Sequence, residues 1–318
     1  MELEYYQTFD EKRLHFCSHS IVNTKDDLKS VINKFEQYEE KNKIRYLFRG
    51  VNNASYKVYS SAQRLWLYRN LLSVGLTYDQ FLINILGEAK REDGIIYNYF
   101  KRLGVTVNDW LVFSFLQHYG AATPFVDFSK RYRVSLFFAF DGVNYDGSVG
   151  ELNDYVSVYY YKTVDVANDV APSVIRLAEQ KAKNKRTYSG GLSIWKKLTF
   201  NDIMNENPLI IVPAYSNRTN IKNSSRKTVA TYTIANLNAV AQEGEFICNS
   251  CDKEPLEDVM AKGTKKYLHC VDIHKGLYEY IVKNILEVSS IEEGRCRYYP
   301  DARDISKSIV NRVLENLE

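Results

Sequence analysis

YLFRG, residues 46–50, runs three apolar side chains straight into an arginine and a glycine. With Ile44 and Arg45 ahead of it, the stretch reads as a strand that ends at the edge of a core. A guanidinium keeps its charge and offers only donors. Arg49 at such a place needs an anionic partner. The remaining sequence is read for what that partner is.

The chain has 318 residues and 45% apolar content, ample for a packed core. Charged residues make up 25%, as in ordinary globular chains, so wholesale disorder is excluded. A net charge of +3 excludes a histone-like polycation but allows a local basic patch. No run of about 18 apolar residues occurs, so no membrane span or membrane partner is expected. The opening MELEYYQTFDEKRLHF is acidic and polar, unlike a signal or transit peptide, and a cytoplasmic location is expected. Five cysteines, an odd number, do not form a disulfide scaffold. Cys248, Cys251, Cys270 and His274 offer a zinc set on paper. Its second half is poor, because Cys270 lies in YLHCVDI, where alternate residues face opposite sides of a strand. Free thiols and no metal are the expectation.

Outward from YLFRG, TKDDLKSVINKFEQYEEK precedes it with Leu28, Val31, Ile32, Phe35 and Tyr38 at helical spacing, opened by a box-like Thr24 and Asp27. Residues 64–73 and 77–103 read as helices. NDWLVFSFLQHYG reads as another, with Asn108 at its start and Gly120 at its end. TPFVDFS is short and extended, and RYRVSLFFAFDG is a helix apolar nearly all round, hence buried. After residue 150 strands dominate, at 154–162, 209–215, 228–235, 245–248 and 266–273, with helical stretches at 172–183, 275–288 and in the terminal DISKSIVNRVLENL. A helical first half with two short strands, then a strand-rich second half, is an α+β pattern. The runs KAKNKR (181–186) and NIKNSSRK (220–227) read as solvated basic loops, with a phosphate-bearing partner as the minority reading.

No GxSxG, GxxxxGK[ST], HExxH or GxGxxG occurs. Taken together, Phe48-Arg49-Gly50, Gln117-His118-Tyr119-Gly120, Thr123-Pro124, Asp127-Phe128-Ser129, Leu136-Phe137-Phe138-Ala139 and Gln242-x-Gly244-x-Phe246 resemble the FRG domain family. Phe125 stands where that family often has an arginine. The resemblance implies one unit over 44–318, with insertions near 163–207 and 216–235, behind a helical lead-in at 1–43. The FRG domain is in turn similar in layout to ADP-ribosyltransferases. That implies a split pair of small sheets forming a cleft, with a helical N-terminal half and NAD as the bound substrate.

The resemblance also implies site roles. Arg49, with Gly50, would grip the NAD pyrophosphate bidentately. Ser129 would be the supporting hydroxyl, with Thr123 its rival. His118 and Tyr119 would bond or stack on the ligand, and Asp127 would be a further cofactor-binding residue. Glu243 or Glu245 would stabilise the oxocarbenium-like transition state, the two sharing one strand face by their spacing. The family pattern instead matches Gln242 at this segment, a neutral amide that stabilises a cation less well.

The function so implied is NAD-dependent ADP-ribosyl transfer to a protein, RNA or DNA acceptor, in the setting of a toxin with an antitoxin or of anti-phage defence. Two other classes stay open: a non-catalytic module for NAD, ADP-ribose or a nucleotide, and a metal-independent nuclease or hydrolase using His118 and Asp127 as acid and base. From the residues alone, Arg49 and Asp127 could equally be a structural ion pair.

Overall fold

The computed structural model describes residues 3–40, 46–103, 107–143, 145, 147, 151–163, 165, 200–201, 209–213, 242–262 and 265–298. The expected helix at 172–183, strand at 228–235, terminal helix and both basic runs lie outside them.

The described strands are β1 (His19–Val22), β2 (Tyr46–Val51), β3 (Phe125–Ser129), β4 (Tyr155–Lys162), β5 (Leu209–Pro213), β6 (Gly244–Asn249), the two-residue β7 (Ala261–Lys262) and β8 (Lys265–Lys266), and β9 (His269–His274). Seven of them form one sheet in the order β1-β9-β4-β2-β3-β6-β5. The β1–β9 pair is parallel and every other pair antiparallel, so the sheet is mixed and the chain is α+β.

The ladder is uneven. β2 and β4 pair over six residues, and β3 and β6 over five. Between β2 and β3 a single pair, Phe48 with Ser129, joins the two halves. Beyond it the sheet parts, and a cleft opens along the parting.

One sheet face carries helices in two groups. Over the β1-β9-β4-β2 half lie α2 (Lys25–Glu40) and α7 (Tyr132–Phe140). Their Leu28, Phe35, Leu136 and Phe140 share a buried cluster with Phe48, Val158 and Ile273. Helix α2 starts as its sequence suggests: the Asp27 amide donates to Thr24 Oγ1 and the Thr24 amide to Asp27 Oδ2, each at 3.2 Å. Over the β3-β6-β5 half lie α3 (Ser61–Tyr68), α4 (Tyr78–Ala89) and α6 (Asp109–His118), whose Trp66, Leu82 and Phe113 pack with Phe125 and Phe246. The cleft runs between these groups.

Gly50 decides how close the first group comes. A Cβ there would lie 1.8 Å from the Ser135 carbonyl oxygen and 2.6 Å from the Ala139 nitrogen, both backbone atoms of α7. Glycine lets α7 rest directly on β2.

Several expectations are revised. Residues 64–73 divide between α3 and a 3₁₀ turn, Leu71–Val74. Residues 77–103 form two helices, α4 and α5 (Ile95–Arg102), with Gly94 as the N-cap of the second. The stretch 275–288 is a 3₁₀ turn, one short α turn and a π turn rather than one helix.

Strand β1 lies inside the expected helical lead-in of 1–43 and pairs with β9. The same segment is pinned by a wholly buried ammonium. Lys12 Nζ donates to Ala54 O at 2.8 Å, Ser157 Oγ at 2.8 Å and Asp272 Oδ1 at 2.6 Å. All three protons of the ammonium have acceptors, which is what makes its burial tolerable. No helix among the described residues is long and apolar enough to cross a membrane.

Candidate functional site

The parting of β2 and β3 leaves a cavity of about 430 Å³, within the range of small-molecule sites. Its walls come from the ends of β2 and β3, the start of β6, α7 on one side, and α3 with α6 on the other.

Arg49 is the fourth residue of β2, which runs on to Val51 rather than ending at the arginine, and its side chain reaches across the gap. Its Nη1 donates to the backbone carbonyl of Asp127 at 2.8 Å and stands 3.9 Å from Asp127 Oδ2. Its Nε is buried with no partner among the described residues. Burial lowers the guanidinium pKa, and the Asp127 charge opposes that shift. The group remains a cation at any ordinary pH. Arg64 of α3 lines the same cavity and feels the same carboxylate, again with burial lowering its pKa.

Asp127 is the one carboxylate among the described lining residues. Half its side chain is open to the cleft, yet protein surrounds it deeply enough that burial raises its pKa. Arg49, Gln117 and Arg64 pull the other way. Gln117 Nε2 donates to Asp127 Oδ2 at 2.6 Å. Thr123, wholly buried, donates through Oγ1 to Gln117 Oε1. A fixed hydroxyl thus sets the amide, and the amide sets the carboxylate.

His118, at the end of α6, lines the cavity, and burial lowers its pKa. Its imidazole is therefore mostly neutral at pH 7. Two guanidiniums against one carboxylate leave the lining with surplus positive charge.

The residues singled out from sequence divide as follows. Arg49, Gly50, His118, Asp127, Ser129 and Gln242 line the cavity. Thr123 stands behind it, acting on Gln117. Tyr119 is two-thirds exposed, against the rings of Phe115 and His118, and outside the lining. Ser129 is buried, and its hydroxyl donates to Gln242 O at 2.5 Å and accepts from the Arg131 amide at 2.9 Å. That hydroxyl ties β3 to the approach of β6.

Glu243 and Glu245 do not share a strand face. Glu243 has a left-handed φ of 46° and precedes β6, which starts at Gly244. Its carboxylate is 3.7 Å from Arg131 Nη1. Glu245 pairs across the ladder with Phe128, on the face opposite Asp127, and meets Lys130 Nζ at 3.2 Å. The cleft side of this segment is Gln242, Gly244 and Phe246. Gln242 Nε2 also donates to Tyr298 O at 3.1 Å, so its amide is held.

Sequence reasoning passed over Arg64 and gave Gln117 no role. Arg64 has no local signal, being one exposed position of an amphipathic helix. Gln117 was visible in QHYG.

The paper zinc set does not assemble. Cys248 is in β6 and Cys270 in β9, with β4, β2 and β3 between them. Among the described residues one metal-like group forms, His19, Cys270 and Asp272, and the Lys12 ammonium already occupies its carboxylate.

Residues 44–147 match the family model described as the FRG domain, 104 of the 318 residues. No curated protein and no solved structure matches the chain.

Proposed function

We propose that the cleft binds NAD and that the protein transfers ADP-ribose from it to a macromolecule, releasing nicotinamide. One observation carries this reading: two guanidiniums, Arg49 and Arg64, share a cavity of about 430 Å³ with a single carboxylate, Asp127. The surplus positive charge suits a pyrophosphate, which a guanidinium can grip through charge-assisted hydrogen bonds. The carboxylate suits the positive charge that develops on the ribose during transfer. The FRG match over 44–147 supports the reading through the likeness of that family to ADP-ribosyltransferases.

A second reading has its own support. Glu243 and Glu245 lie outside the cavity lining, as in a cleft that binds NAD or ADP-ribose without turning it over.

Titration calorimetry with NAD, followed by nicotinamide release in a cell lysate, tests both. Arg49→Ala and Arg64→Ala should each lose about 10- to 100-fold in NAD affinity, the cost of a charge-assisted hydrogen bond. Label from NAD that then resists protease, or resists nuclease, identifies the acceptor class. Binding without nicotinamide release favours the module. Absence of binding refutes both.

A further inference from the structure

We infer that Asp127 is the catalytic carboxylate of the cleft, with Gln117 its positioning residue and Thr123 behind it. This rests on the ADP-ribosyl transfer reading and says which side chain of this chain does the work.

Position decides between the candidates. Asp127 and Ser129 line the cleft from β3, whereas Glu245 lies outside its lining and meets Lys130 Nζ at 3.2 Å. Glu243, in its left-handed turn, is directed to Arg131. A carboxylate acts on a developing positive charge only across a short, water-poor gap. Among the described acidic residues, Asp127 alone stands in the cavity with the two guanidiniums.

Orientation is built in. Asp127 Oδ2 takes the Gln117 amide at 2.6 Å, and Gln117 is fixed in turn through its own oxygen by the buried Thr123 hydroxyl. Gln117 Oε1 can only accept, so Thr123 is the donor, and its own oxygen accepts from the Phe125 amide at 3.2 Å. This arrangement orients the carboxylate and opposes the burial that raises its pKa.

The bond between ribose C1′ and the nicotinamide nitrogen breaks, and the nitrogen keeps the electron pair and leaves as neutral nicotinamide. A lone pair of the acceptor forms the new bond to C1′. The acceptor's proton passes to the Asp127 carboxylate and from there to solvent.

The test uses the full chain with NAD and lysate. Asp127→Asn should keep NAD affinity within a few-fold by calorimetry while nicotinamide release falls about 100-fold or more. Gln117→Leu should lower kcat more than it raises KM. It should also move the acid limb of the pH–rate profile to higher pH, because the lost hydrogen bond was holding the Asp127 pKa down. If Asp127→Asn does not fold, the Gln117→Leu profile decides alone. Full turnover in Asp127→Asn, with Glu245→Gln inactive, overturns the assignment and leaves the transfer reading standing. Wild-type protein that binds NAD without releasing nicotinamide overturns both.

Discussion

Replacing Gly50 with alanine would add one methyl group at the tightest backbone approach described, 1.8 Å from the Ser135 carbonyl oxygen. Two more backbone atoms of α7 follow, the Ala139 nitrogen at 2.6 Å and the Ser135 carbonyl carbon at 2.8 Å. None of these is the tip of a flexible side chain that could swing aside. Bringing the first contact out to ordinary packing at 3.4 Å requires a separation of about 1.6 Å between β2 and α7. Helix α7 is buried nearly all round, so that movement opens gaps against Phe48, Val158 and Ile273. Overpacking of this kind costs about 3 kcal/mol, at the upper end of its usual range. At about 2–4 °C per kcal/mol for domains nearing this size, the melting temperature should fall by roughly 6–12 °C. Thermal unfolding followed by circular dichroism measures this directly, with NAD titration alongside. An alanine variant that melts within about 2 °C of the wild type, and loses only NAD affinity, would refute the reasoning. Gly50 would then serve ligand approach and not helix packing.

Two further outcomes concern the buried ammonium. Lys12→Met should destabilise by about 3–5 kcal/mol, since it leaves the Asp272 carboxylate buried without its cation; chemical denaturation measures it. Burial works to raise the Asp272 pKa, but Lys12, His19 and Ser157 together hold it below the usual carboxylate value. A carboxylate depressed on folding lends stability above its unfolded pKa of about 3.9 and loses it as pH falls through the folded value. The melting temperature should therefore drop steeply below about pH 4, and Asp272→Asn should flatten that part of the curve.

The strands around the cleft were readable because each is a short apolar run with a punctuating residue at its end, Gly50 after YLFR and Pro124 before FVDFS. Strand β1 was not, because HSIV carries two polar residues in four and is held by a partner some 250 positions away. Pairing at that separation leaves no local trace. The break at Gly94 did leave one, an Asp-Gly step inside a helical pattern, which periodicity alone outweighed. At the site, the spacing of Glu243 and Glu245 marks them as one strand face but not which way it points; Glu243 lies in a left-handed turn before β6, and Gln242, Gly244 and Phe246 line the cleft instead. Arg64 and Asp127 meet only through the tertiary packing of α3 beside β3, which no spacing encodes.

The single rung between Phe48 and Ser129 makes the sheet a pair of jaws on one rivet. Each jaw has its own ladder and its own helices on the cleft face, while on the opposite face Leu47 and Tyr161 of one half share a buried cluster with Val126, Phe128 and Ile247 of the other. Arg49 already ties one jaw to the other through the Asp127 carbonyl, and a molecule that gripped both side chains would reinforce that tie. Occupancy would then register as slower amide exchange along β3 and β6 without any change in secondary structure.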